Sequence, residues 1–212
     1  MSLMQSARVD QRREVGQRTR ARLLDAALDL LAERGEDAVT LREVTDAAEA
    51  NVAAVSYHFG SLKSLFDAAL EHALERYLDA QREALNALGP EPTLEELAAA
   101  FARPMMRYLS AGGRDLAVLR IAARAAIDPP PEWGRFKPRF DGIRAVVQPV
   151  LRRQVPGIND RELLFRERAV AGMLNWLALA PVGDELRNKS EKQLERRVVP
   201  IVAGAFRGTT SG

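Results

Sequence analysis

The chain has 212 residues, of which 47% are apolar, and a formal charge of +2. This length suits one medium domain or a small domain joined to a larger one, and the apolar share excludes disorder over most of it. With no cysteine, and with His58 and His72 as the two histidines, disulfide scaffolds and thiol chemistry are excluded and no metal site is expected. No apolar run approaches the roughly 18 residues that span a bilayer. Met1 to Asp10 lacks an apolar core followed by a small-residue cleavage site, so no signal peptide, no membrane partner and a cytoplasmic location are expected. A balance so close to neutral does not announce a nucleic-acid partner, so the distribution of charge has to be read along the chain.

Helix signals recur from end to end, and no alternating β-branched run bounded by turn pairs interrupts them. Arg8, Arg12, Arg13, Arg18, Arg20 and Arg22 outnumber Asp10 and Glu14 and form a basic arm. The arm leads into a first helix predicted from about Gln17 to Arg34. Leu24, Ala27, Leu28 and Leu31 give that helix one apolar face, and Gly35 caps its end. Thr40-Leu41-Arg42-Glu43 has the capping-box form and opens a short helix ending near Ala48, with Leu41, Val44 and Ala48 inward. Asn51 caps a third helix in which Val52, Val55 and Phe59 share one face by spacing. Ala53, Ala54, Tyr57 and His58 fall on the other side. Gly60 ends this helix, and Ser61 caps a long fourth one from about Leu62 to Leu88.

Gly89-Pro90-Glu91-Pro92 breaks the chain, and Thr93-Leu94-Glu95-Glu96 opens a fifth helix reaching about Ser110, with Pro104 as a kink. Gly112-Gly113 is a turn before a sixth helix, Arg114 to Ile127. Pro129-Pro130-Pro131 is a stiff break. Phe140 to Arg153 reads as helix despite Pro149. Asp160 is expected to cap a long apolar helix to Ala180, followed by Pro181, and a last helix runs from about Ser190 to Phe206.

Three short helices, the last two separated by a tight turn, follow helix-turn-helix logic, in which the second helix braces across the DNA backbone and the third enters the major groove. Small residues at Ala53 and Ala54 let a helix sit deep and touch thymine methyl groups. Tyr57 and His58 can hydrogen-bond phosphates, which position a protein without reading sequence. The start of the second helix offers amides and the Thr40 hydroxyl to a phosphate, with Arg42 beside them. The plainer alternative is a polar pair on a solvated helix preceded by an ordinary charged tail.

The first helix with Ala26-Ala27 and Leu30-Leu31, then Thr40-Leu41-Arg42-Glu43-Val44, then Ala53-Ala54-Val55-Ser56-Tyr57-His58-Phe59-Gly60-Ser61 and Leu65-Phe66, together resemble the TetR family of bacterial transcriptional regulators. The motif match covers about the first third of the chain. The resemblance implies an all-α fold: an N-terminal three-helix helix-turn-helix DNA-binding domain (1–64, with the basic arm) plus a larger helical ligand-binding and dimerisation domain (65–212). It implies a homodimer on a palindromic double-stranded DNA operator, released by a small-molecule effector, without cofactor or catalysis. Carried over residue by residue, the DNA contacts are Thr40, Arg42, Asn51, Ala53, Ala54, Tyr57 and His58, with Val52 and Ser56 beside them. Two positions depart from the family pattern. Leu62 stands where a phosphate-binding lysine is usual, with Lys63 next, and one residue rotates a side chain by about 100° on a helix. Glu49 stands where the turn usually has glycine, at a cost of about 1–2 kcal/mol if the turn is left-handed.

For an effector pocket the candidates are Phe101, Met105, Tyr108, Arg120, Trp133, Phe136, Phe140 and Trp176. Methionine and aromatic clusters are more often core, but a proline-kinked helix and a broken stretch suit a cavity. Arg120 and Arg124 would favour an acidic effector if they pointed inward, and snorkelling to solvent is the competing arrangement. Val170, Met173, Leu174 and Leu177 line one face of the helix at 160–180, and Ala169, Gly172, Trp176 and Leu179 line another. Leu194, Val198, Ile201, Val202 and Ala205 form a stripe at 190–206. A helix apolar on most sides needs burial on most sides, so these two helices are expected to form the homodimer interface, with a large monomeric core as the alternative. Two other functions compete: a DNA-binding adaptor of the same fold that recruits a protein partner without small-molecule control, and a helical enzyme. The chain shows no nucleophile–base pair, phosphate loop or paired carboxylates to support the enzyme.

Overall fold

The computed structural model describes residues 2–127, 131–179, 185–186 and 189–208, and the side chains of these except for 2–10, 12, 125 and 131–133. Among the described residues the chain is helical and has no strand. The elements in chain order are α1 (Ser2–Arg34), α2 (Leu41–Ala47), α3 (Val52–Phe59), α4 (Leu62–Asn86), α5 (Leu94–Ala111), α6 (Gly113–Ile127), α7 (Lys137–Gln154), α8 (Asp160–Leu179) and α9 (Glu191–Arg207). A 3-10 turn lies at Glu36–Ala38 and a 3-10 helix of six residues at Pro131–Phe136. The chain divides into two compact units, Met1–Ala73 and Leu74–Gly212, and α4 runs through the division.

In the first unit, Leu23, Leu24, Ala27 and Leu31 of α1 meet Val44 and Ala48 of the α2 segment, Val55 of α3, and Leu65, Phe66 and Ala69 of α4 in one core. Thr40 caps α2 with the expected box, and Asn51 Oδ1 accepts from the Ala54 amide at 2.8 Å to cap α3. The expected start of α1 at Gln17 is corrected: the helix begins at Ser2 and takes in the basic arm. Residues 5–17 contain no proline and are mostly strong helix formers, so nothing stops the helix there, and Gly16 costs only about 1 kcal/mol. Val52 is also corrected. It is 50% exposed, because a first-turn residue of so short a helix projects past the core that Val55 reaches.

In the second unit α5 is the central helix and packs against α6, α7, α8 and α9. Leu97, Ala98, Phe101, Ala102, Met105, Met106, Tyr108 and Leu109 are buried around most of its circumference, as the core of a helical layer requires. Phe101 meets Phe206 of α9 edge to face at 5.7 Å. The helix runs through Pro104, whose missing N–H leaves the Ala100 carbonyl without its helical donor. Two boundaries differ from expectation. α7 starts at Lys137, because Pro138 in the first turn loses no helical hydrogen bond. Asn159, not Asp160, caps α8, its Oδ1 accepting from the Glu162 amide at 2.9 Å. The Pro129–Pro130 break, Ala180 and Pro181 lie outside the described residues.

Candidate nucleic-acid interface and a cavity in the second unit

The α2–α3 turn decides how α3 is presented. Glu49 takes φ +49°, the left-handed conformation that glycine normally supplies, and its carboxylate accepts from Arg22 of α1 at 3.4 Å. The chain then re-enters helix at Val52, with Val55 at 1% exposure anchoring α3 to the core. On the outer side Asn51, Ala53 and Ser56 are exposed, and Tyr57 is 84% exposed. Ala54 is half-buried and packs on the core, so of the two alanines it is Ala53 that faces fully outward. His58 is half-buried, edge-on to Tyr57 at 4.8 Å, with its Cε1 beside Gly16 of α1. Its imidazole is thus steadied between α1 and the Tyr57 ring.

Around this face the charges are paired but accessible. Arg42 lies 3.8 Å from Asp46 with its side chain 89% exposed, and Lys63 lies 3.2 Å from Asp67 at 73% exposure. Exposed pairs of this kind are worth little, so either cation can turn to a phosphate at small cost. Leu62 packs on the core and Lys63 points outward from the same turn. The Thr40 hydroxyl is already engaged: it donates to Glu43 Oε2 at 2.7 Å and accepts from the Glu43 amide. Arg34 holds the other Glu43 oxygen at 2.8 Å. Bonds from Thr40, then Arg34, bring the Glu43 carboxyl down to about 2. The arrangement is a short helix with a shallow, small-residue outer face, one protruding phenol, and cations at both flanks. It fits a groove with phosphates on either side.

Comparison with known proteins agrees with this geometry. Residues 23–69 match the family model described as bacterial regulatory proteins, tetR family, and residues 99–205 match the tetracyclin repressor-like C-terminal domain. The chain belongs to the TetR family of bacterial regulatory proteins. It is 28% identical over 191 residues to the HTH-type transcriptional repressor Rv3405c of Mycobacterium tuberculosis, covering 85% of this chain and 89% of that protein. It is 30% identical over 97 residues to the HTH-type transcriptional repressor NicS of Pseudomonas putida, covering 45% and 46%. Among solved structures, the TetR-family regulator PfmR of Thermus thermophilus superposes with a TM-score of 0.63 at 20% identity, over 85% of this chain and 96% of that one. The fatty acid degradation regulator FadR of Bacillus halodurans does so with 0.60 at 14%, over 90% and 97%. At such identities the likeness to these structures is one of fold.

The second unit of this TetR-family chain holds a cavity of about 140 Å3 that opens to solvent. Its walls are apolar, with Leu74, Tyr77, Leu78, Phe101, Phe140, Ile143, Leu164 and Leu174 among them, and its polar members are Gln81, Arg144, Glu167, Arg168 and Asn175. Of the pocket candidates, Phe101 and Phe140 line it. Met105, Tyr108 and Phe136 do not: all three are buried in packing elsewhere in the unit. Arg120 is half-buried away from it, and Trp176 is 59% exposed on α8. The Trp133 side chain lies outside the described residues. Sequence reasoning missed Gln81 and Glu167, although both leave a trace: each is a single polar residue within an inward stripe. The stripes are Leu74-Tyr77-Leu78-Gln81-Leu85 and Leu163-Glu167-Val170-Leu174. Gln81 donates to the Phe101 carbonyl at 3.2 Å. Burial pushes the Tyr77 phenol up, and it also raises the Glu167 carboxyl, against smaller lowering effects of Gln148 and Arg144.

Proposed function

We propose that the protein is a repressor that binds a palindromic operator as a homodimer and lets go when a small molecule enters the cavity of the second unit. In this reading residues 1–64 read DNA and residues 65–212 sense the effector and dimerise. The observation that carries the DNA half is the outer face of α3, with Ala53, Ser56 and Tyr57 exposed on a helix anchored by Val55. Val52 and Ala53 would lie toward base edges, with the inward-packed Ala54 keeping that face shallow. Thr40, Arg42, Asn51, Tyr57, His58 and Lys63 would meet phosphates, Thr40 by exchanging its bond to Glu43. The names of two relatives as repressors support the sign of regulation.

The dimer half rests on α8 and α9. Phe165, Ala169, Gly172 and Trp176 recur at helical spacing on the uncovered side of α8, with Phe165 65% and Trp176 59% exposed, and Ile201 of α9 is 57% exposed. A contiguous apolar stripe of this kind marks an interaction surface, and a twofold copy buries it self-complementarily.

Selection of bound duplexes from a random pool at fixed moderate salt tests the reading. A palindromic consensus is expected. On that consensus, Arg42→Ala should bind more weakly across all sequences and lower the salt dependence by about one counterion. No enrichment, or an Arg42→Ala affinity and salt slope equal to wild type, would count against it.

A further inference from the structure

The cavity has one atom out of balance. Glu167 is 7% exposed, and its Oε2 accepts from Gln148 at 3.3 Å. Its Oε1 is buried and has no hydrogen-bond donor among the described residues, and Glu167 is one of the residues that line the cavity. A buried polar atom left so is costly, and a ligand that supplies the missing donor recovers that cost on binding. The rest of the wall rejects charge. A ligand carboxylate reaching this depth would meet the Glu167 carboxylate in a low dielectric. A ligand cation would have to pass the guanidiniums of Arg144 and Arg168, which also line the space, and give up its hydration among apolar walls. Arg144 is already drawn to Asp141 at 3.1 Å, with its side chain 40% exposed, and Arg168 is exposed, so both sit toward the rim; the deep polar groups are Glu167 and Gln81, and Gln81 is already bonded to the Phe101 carbonyl.

We infer that the cavity takes a small, largely apolar, uncharged molecule carrying a hydroxyl, a phenol or alcohol whose O–H donates to Glu167 Oε1. This rests on the reading of the cavity as the effector site. The hydroxyl gives direction in a space whose aromatic and aliphatic walls supply affinity without orientation. A site built to hydrogen-bond a hydroxyl also rejects the analogue that lacks it, because the buried partner is then left unpaired.

The test is calorimetric titration of the full chain with four probes of one ring size: 4-ethylphenol, ethylbenzene, 4-ethylbenzoate and 4-ethylbenzylammonium. The phenol should bind roughly ten- to a hundredfold more tightly than ethylbenzene, with both ions weaker than the phenol. In Glu167→Leu that preference should collapse and ethylbenzene should gain. Glu167→Gln, nearly isosteric and still offering an acceptor oxygen, should keep the fold and part of the preference. Equal binding of phenol and hydrocarbon to wild type, an ion as the tightest probe, an unchanged preference in Glu167→Leu, or no binding at all would each overturn the inference. Release of the selected duplex is measured separately. A Glu167-dependent phenol preference without release leaves this inference standing and removes effector control, whereas release by a probe that ignores Glu167 does the reverse.

Discussion

Glu49 shows how a single backbone torsion sets the way α3 presents its outer face. Its φ of +49° lets the chain reverse between α2 and α3, and an L side chain there works against the steric preference of the backbone. The contact to Arg22 is exposed, at 49% and 85% side-chain accessibility, and contributes little to offset that. Glu49→Gly and Glu49→Ala both remove the pair, so their difference isolates the torsion. The glycine variant should be more stable than the alanine variant by about 1 kcal/mol in urea unfolding. Equal midpoints would mean that the turn carries no such strain. At the neighbouring departure, Leu62 belongs to the core and Lys63 to the surface, so the cation has moved one place along the helix and still projects outward.

At the scale of the element, α2 has seven residues and cannot sustain itself by propensity. Its capping box does part of that work, with Glu43 Oε2 accepting from the Thr40 amide at 2.8 Å while Arg34 holds Oε1. These bonds favour the ionised carboxylate and lower it from 4.5 to about 2. A carboxyl depressed on folding stabilises the native state fully above its unfolded value and loses that contribution as pH falls toward the folded one. The stability gap between wild type and Glu43→Gln should therefore be constant above about pH 5 and close between 4.5 and 2. Urea unfolding across that range reads it, and a gap independent of pH would remove the carboxylate from the capping role.

For the whole molecule the exposed stripe on α8 and the buried stripe on α9 behave differently. Val202, which the sequence pattern groups with Ile201, is 0% exposed inside its own unit, whereas Ile201 is 57% exposed. Val202→Arg should unfold the second unit, since it buries an unpaired charge. Trp176→Glu with Ile201→Arg should leave the helical content intact and yield a monomer in sedimentation. The operator affinity should then fall by at least about a hundredfold, because one half-site no longer holds the other close. A well-folded double variant that remains a dimer would move the interface elsewhere.

Most of the helices, the caps at Thr40, Asn51 and Thr93, and the helix-turn-helix were legible in the sequence. Each is written in short-range chemistry: Thr40 with Glu43, Asn51 before Val52, Gly60 after Phe59, and apolar residues three and four apart. It also carried the family, because the motif that marks it includes a local pattern of small and polar residues on one short helix. It took the packing of helices against one another to show that Ala54 packs inward, that Val202 and Ile201 part company, and that Glu167 lines a cavity with Phe101 and Phe140. Periodicity tells which residues share a side of one helix. Which side faces a neighbour, and where two packed helices fail to fill the space between them, depends on residues far apart in the chain.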